Sequence, residues 1–156
     1  MISKATITRP ANTTAYAAGD VINGDGVTIP IELPVNGEKD LVILATHLMS
    51  SNEASTPAID IYFFSESFTI AADNAAFAPS DSQIKSFLGK VSHTEWSAFA
   101  ACKISDSPAA SINLPNVSYD SDMTATNGTS VYAVLVAAAA YTPISGEEIT
   151  VKIDLV

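Results

Sequence analysis

The sequence predicts an all-β fold: an antiparallel β-sandwich of jelly-roll type carrying one short helix. Three observations predict it. About eight short stretches alternate apolar and polar residues with the period of two that a half-buried strand requires. Clusters of Gly, Pro and Asn separate these stretches at short spacing, as in sandwiches and jelly rolls. One stretch alone, within Ala71–Val91, carries helical periodicity.

Taken in order, Ile2–Thr8 alternates weakly, with Ala5 and Ile7 on one face. Arg9–Ala18 is a loop by composition, with Pro10 lacking a donor and Asn12, Thr13 and Thr14 suited to turns. Gly19–Gly26 is turn-rich. Val27, Ile29, Ile31 and Leu33 then form the buried face of a strand, which Pro30 places at an edge or bulge. A turn around Asn36-Gly37 leads to Leu41–Met49, apolar on both faces at first and therefore predicted as a central strand packed on two sides. After a polar loop, Ala58–Ser65 points Ile59, Ile61 and Phe63 one way and Asp60, Tyr62 and Phe64 the other.

The helix is predicted over Asp81–Leu88. Ser80 and Gln83 have the spacing of a capping box. Ile84, Phe87, Leu88 and Val91 follow at i, i+3, i+4 and i+7, and Gly89 stands where a left-handed residue would end the helix. Trp96–Ile104 reads as a strand with Phe99 in the core. Ser105–Ala109 reads as a turn around Pro108, and Ser111–Leu114 as a short strand. Asn116–Gly128 is a polar loop or edge segment, with a tight turn at Asn127-Gly128. Thr129–Tyr141 is the strongest central strand. Its run Ala137–Ala140 favours helix by propensity, but the preceding β-branched residues and the Tyr141-Thr142-Pro143 corner favour strand. Glu147–Val156 alternates most cleanly, with Ile149, Val151, Ile153 and Leu155 inward.

A chain of 156 residues fits a single domain, 1–156, long enough to bury a core without metal or disulfide. Its one cysteine, Cys102, excludes an intrachain disulfide and reads as a small core residue. The formal net charge is −10, with no basic cluster, so nucleic acid and anionic membranes are not expected partners. Only 15% of residues are charged, which leaves much uncharged surface for contact with partners. Val131–Tyr141, the longest apolar run, is too short to span a bilayer as a helix. Met1–Ile7 lacks the apolar stretch of a secretory leader, so synthesis in a cytoplasm is expected.

No catalytic motif stands out, and no enzyme activity, cofactor or metal is expected. His47 sits among Ala45 and Met49 and reads as a packed, hydrogen-bonded histidine; His93 has no companion cysteine pair. Asn23, Asp25, Gly26 and Glu32 copy positions 3, 5, 6 and 12 of a calcium loop, but Val21 occupies the first ligand position. A hairpin turn is the simpler reading of that stretch. Asp120 and Asp122 read as a solvated acidic pair.

Three stretches resemble a group of bacteriophage virion proteins. They are Thr8–Val21 (TRPANTTAYAAGDV), Asp60–Val91 with its Phe-Phe strand end and IADNAAFAPSDSQIKSFLGKV, and Val131–Leu155 with its Tyr141-Thr142-Pro143 corner. Together they cover about half of the chain, in the order seen in those proteins. The resemblance implies head decoration: a jelly-roll subunit that binds the major capsid protein on the outer surface of the head, cementing the shell as a homotrimer. The same group includes tail proteins, so a tail-associated module for receptor or carbohydrate binding is the alternative, with Trp96, Tyr16 and Tyr119 as its aromatic candidates. No catalytic residues come with the resemblance. The long, polar and mostly uncharged segment Thr8–Ala18 is the expected contact with capsid or neighbouring subunit, through Arg9, Asn12, Thr13, Thr14 and Tyr16.

Overall fold

The computed structural model describes residues 1–23, 26–33, 41–114 and 130–156. The strands are β1 (Ile2–Thr8), β2 (Val21–Ile22), β3 (Ile29–Glu32), β4 (Leu41–Ser50), β5 (Ile59–Phe64), β6 (Phe87–His93), β7 (Ser97–Phe99), β8 (Cys102–Leu114), β9 (Ser130–Ala137) and β10 (Glu148–Leu155). One helical turn, α1 (Asp81–Ile84), precedes β6. The predicted turns at Asn36-Gly37 and Asn127-Gly128, and the acidic pair Asp120 and Asp122, lie outside the described residues.

Two antiparallel sheets face each other. Sheet 1 runs β1-β10-β4-β8-β7, and sheet 2 runs β2-β9-β5-β6 with β3 pairing further along β9. In sequence, the chain crosses from β1 to the β2/β3 edge, back to β4, over to β5 and β6, back to β8, over to β9 and home to β10. Long connections that place the last strand beside the first give the jelly-roll form of the sandwich. Its core comes from strict alternation. Ile149, Val151, Ile153 and Leu155 of β10 meet Ile59, Ile61 and Phe63 of β5 and Val131, Ala133 and Leu135 of β9 in one apolar cluster. Full burial of a side chain such as Phe63 contributes about 1.5–3 kcal/mol.

A second, smaller layer sits on the outer face of sheet 2. Val21, Phe64, Val134 and Val136 are buried there beneath Phe68, Ile70, Ala71 and Phe77. The connection after β5 folds back over its own sheet, and Phe64 meets Phe68 edge-on at 4.8 Å between ring centroids. Tyr62 and Phe64 alternate outward as predicted, and this connection covers them.

The helix is a correction. Its capping box is present: Ser80 Oγ accepts from the Gln83 N–H, and Gln83 Oε1 accepts from the Ser80 N–H at 2.7 Å. The helix nevertheless stops at Ile84 instead of running to Leu88. Ser86 donates both its N–H and its hydroxyl to the Gln83 carbonyl, closing the turn. Residues from Phe87 onward then pair with β5, Phe87 against Phe64 and Gly89 against Phe63. A single turn is a poor helix on its own, and the sheet ladder wins. The apolar stripe is therefore read with a different period: Val91 enters the core, while Phe87 stays 40% exposed. Gly89 is not a helix terminator. It lies where the sheets come close, and an added Cβ would meet Ile112 Cγ1 at 2.8 Å.

Other expectations are also revised. Trp96–Ile104 is a hairpin, with Ser97–Phe99 paired to the start of β8; Phe99 is 56% exposed and Cys102 half-buried. The predicted turn at Ser105–Ala109 is strand, because Pro108 takes a place in β8 opposite Ala45, beside an irregularity in the ladder. Strand β4 is central between β10 and β8, yet only one face is covered. The register shift between Ile43 and Ala45 leaves Leu44 exposed and moves the inward set from Leu41 and Ile43 to Thr46 and Leu48. Pro30 lies in β3 at the outside of sheet 2, as expected; the strand predicted over Thr129–Tyr141 ends at Ala137, and Ala138–Ala140 are neither strand nor helix.

Candidate functional site

The segment after β1 is a loop pinned at both ends. Arg9 donates its backbone N–H to the Glu147 carbonyl at 2.9 Å, and Tyr16 donates its own to the Tyr141 carbonyl at 3.0 Å. Between these pins Ala11–Ala15 is exposed. Internal bonds shape the arc: Asn12 Oδ1 accepts from the Thr14 N–H at 3.1 Å, an Asx turn, and Asn74 Nδ2 donates to the Ala15 carbonyl at 3.1 Å. Asn74 holds a left-handed backbone, φ 63°, which asparagine tolerates better than most residues.

Beneath the arc lies a buried ion pair. The Arg9 side chain is 0% exposed, and its Nη2 stands 3.2 Å from Asp73 Oδ2. Arg9 Nε donates to the Tyr16 hydroxyl, Nη1 donates to the Ile144 carbonyl at 3.3 Å, and the guanidinium lies 4.6 Å from the Tyr16 ring centroid. Tyr16 donates its hydroxyl to Asp73 Oδ1 at 2.5 Å, and the Asn23 N–H donates to the same oxygen at 3.1 Å. The Tyr16 ring stacks on Tyr141 at 5.1 Å. Asp73 thus gathers the first strand's end, the loop's far end and the β2 region onto one carboxylate.

The electrostatics keep the cluster in one state. Burial alone would lower the Arg9 pKa, but the Tyr16 bond and the neighbouring charges outweigh it and the net shift is upward. Burial pushes the Tyr16 phenol up, helped by its bond to Asp73. Tyr141 moves the same way, again mainly through burial. Both phenols stay neutral near pH 7, so the cation's charged partner in the cluster is Asp73.

No protein-family model matches the chain, and no curated protein does. Among solved structures it is similar to the PRD1 vertex protein P5, at 13% identity over 97% of this chain and 94% of that one, with a TM-score of 0.33. At that TM-score the superposition adds nothing to what the strands themselves show.

The five sequence-predicted contact residues therefore divide. Asn12, Thr13 and Thr14 are on the exposed arc, whereas Arg9 and Tyr16 are buried beneath it and hold it in place. Sequence reasoning missed Asp73 and Tyr141. Asp73 is 64 residues from Arg9, and no local spacing announces such a partner. The available signal was indirect: the three stretches that resemble virion proteins supply Arg9 with Tyr16, Asp73, and Tyr141 respectively, and the fold joins them here.

His93 lies between the sheets, its Nε2 at 2.8 Å from Thr46 Oγ1 and its Nδ1 at 3.0 Å from Ser105 Oγ, and burial drives its pKa down to about 4. Asp25 of the calcium pattern lies outside the described residues. Asn23 Nδ2 donates to the Val27 carbonyl, and Glu32 sits on the outward side of β3. Among the described residues no group of three or more His, Cys, Asp or Glu is placed to hold a metal ion. Of the aromatic candidates, Tyr16 is buried, Trp96 donates its Nε1–H to the Pro57 carbonyl at 2.6 Å while packing on the core, and Tyr119 lies outside the described residues. Among the described residues no helix is long and apolar enough to cross a membrane.

Proposed function

We propose that this chain is a bacteriophage head-decoration protein that binds the major capsid protein on the outer surface of the head and cements the shell. The observation that carries the reading is the pinned arc Ala11–Ala15, exposed and uncharged, above the Arg9–Asp73 pair. All three stretches that resemble virion proteins contribute to its base. A loop ordered before binding loses little entropy on docking, so more of its contact energy appears as affinity. Subunits repeated over a shell add avidity, and each bound subunit adds contacts that expansion or rupture must break. The net charge of −10 suits a place outside the shell, away from packaged nucleic acid and with no membrane partner. The role is binding, not catalysis. A homotrimer fits threefold positions of a shell, and closed symmetric oligomers are common.

The test is recruitment. Purified protein is added to heads that lack it, and bound protein is imaged by electron microscopy and quantified. Wild-type protein is expected to decorate heads. A variant with Asn12, Thr13 and Thr14 replaced by alanine is expected to fold and to lose most binding. Density on tails alone would move the chain to the receptor- or carbohydrate-binding alternative. Equal head binding by wild type and variant would remove the arc from the contact, and turnover of generic esters or glycosides would overturn the non-catalytic reading.

A further inference from the structure

We propose that His47 is a pH-responsive clamp on the outer face of sheet 1, tying Asp106 of β8 and Asp154 of β10 to β4 when protonated and losing one of those two bonds when neutral. It goes beyond the decoration reading and does not rest on it. His47 points outward from the central strand β4. Its Nδ1 lies 2.6 Å from Asp106 Oδ1 on β8, and its Nε2 lies 3.1 Å from Asp154 Oδ2 on β10. A neutral imidazole carries one N–H and donates to one acceptor, whereas the imidazolium donates to both. Two carboxylates on opposite sides of one ring therefore select the charged form.

The other charged groups facing the ring are few. Lys152 is directly across from His47 on β10, and Lys4 stands across from Lys152 on β1. These two cations oppose protonation; His93 beneath the sheet, bonded to Thr46 of β4 and Ser105 of β8, is neutral above its lowered pKa of about 4 and adds no charge there. Burial also opposes protonation, yet the bonds to Asp106 and Asp154 prevail, and the His47 pKa is raised from 6.5. The ring and its carboxylates reach solvent, so the proton exchanges without opening the core. Loss of the proton costs one carboxylate its donor and makes this sheet face more negative by one charge.

The sequence has two histidines, so proton NMR follows both ring titrations directly. H47Q assigns the signal by its loss. The expected result is a His47 midpoint above 6.5 that falls in D106N and again in D154N. The loss of urea stability in H47Q is expected to be larger at about pH 6 than at about pH 9, since a raised folded pKa stabilises below the unfolded value and the gain vanishes as pH passes the folded one. A midpoint at or below 6.5, a midpoint unmoved by both Asp→Asn changes, or a stability loss equal at the two pH values would each overturn the clamp. If H47Q does not fold, the two Asp→Asn variants carry the test through the same resonance.

Discussion

At the scale of single residues, two buried groups set the sharpest expectations. Among the described residues Asp73 is the carboxylate paired with the buried Arg9 guanidinium, and it also accepts from Tyr16 and from the Asn23 backbone. Asp73→Ala leaves a cation without its counter-charge in a dry site, a change that costs about 3–5 kcal/mol. Urea denaturation of the two proteins measures it, and a loss under about 1 kcal/mol would show that the pair is not the pin described. His93 sets the acid limit. Its folded pKa of about 4 lies below the ordinary 6.5, so its contribution is complete above 6.5 and is lost as pH falls toward 4. Linkage puts the total at about 3 kcal/mol. In H93Q, where an amide replaces the ring between Thr46 and Ser105, the stability decline over that interval should shrink; an unchanged decline would assign it to carboxylates instead.

At the scale of elements, strand β6 decides most. The sequence has a capped helical start at Ser80, and the structure keeps that start for a single turn before the ladder with β5 takes over. Phe87 accordingly loses the role of a core anchor. Half-exposed and touching Tyr62 and Phe64, it should cost under about 2 kcal/mol when changed to alanine. Phe64, fully buried under the folded-back connection, should cost about 3–5 kcal/mol. Thermal melts of the two variants rank them, and the reverse order would mean that the helix reading was the better one. Gly89 tests the close approach of the sheets. Its would-be Cβ meets Ile112 Cγ1 at 2.8 Å and Cδ1 at 2.9 Å, so Gly89→Ala should cost about 1–3 kcal/mol through overpacking. Ile112→Ala should cost less in that background than in the wild type. Strict additivity of the two changes would contradict the clash.

At the scale of the whole molecule, stability and recognition are expected to separate. The core runs between the two sheets, while the arc Ala11–Ala15 projects from one connection and carries no buried apolar side chain. Replacing Asn12, Thr13 and Thr14 by alanine should change stability by no more than about 0.5–1 kcal/mol and leave the oligomeric state, read by light scattering, as it was. A large loss of stability would mean that the Asx turn at Asn12 supports the fold as well as the arc.

Local pattern was enough for the strands whose two faces differ. Ile59–Phe64, Val131–Ala137 and Ile149–Leu155 alternate so regularly that their inward and outward sets follow directly from the residues. It was enough for the capping box, whose bonds are local, and for the edge position of Pro30. Only tertiary structure decided the rest. Whether 85–91 is helix or strand depended on an unpaired edge of β5 being within reach. Whether Pro108 turns the chain or rides in a strand depended on where β4 shifts register. Arg9 and Tyr16 looked like surface residues in a polar loop. They are core because a carboxylate 64 residues away from Arg9 meets them there. Hydrogen-bond registers and buried charge pairs join residues far apart in the chain, and no periodicity within one segment can encode a partner that lies in another.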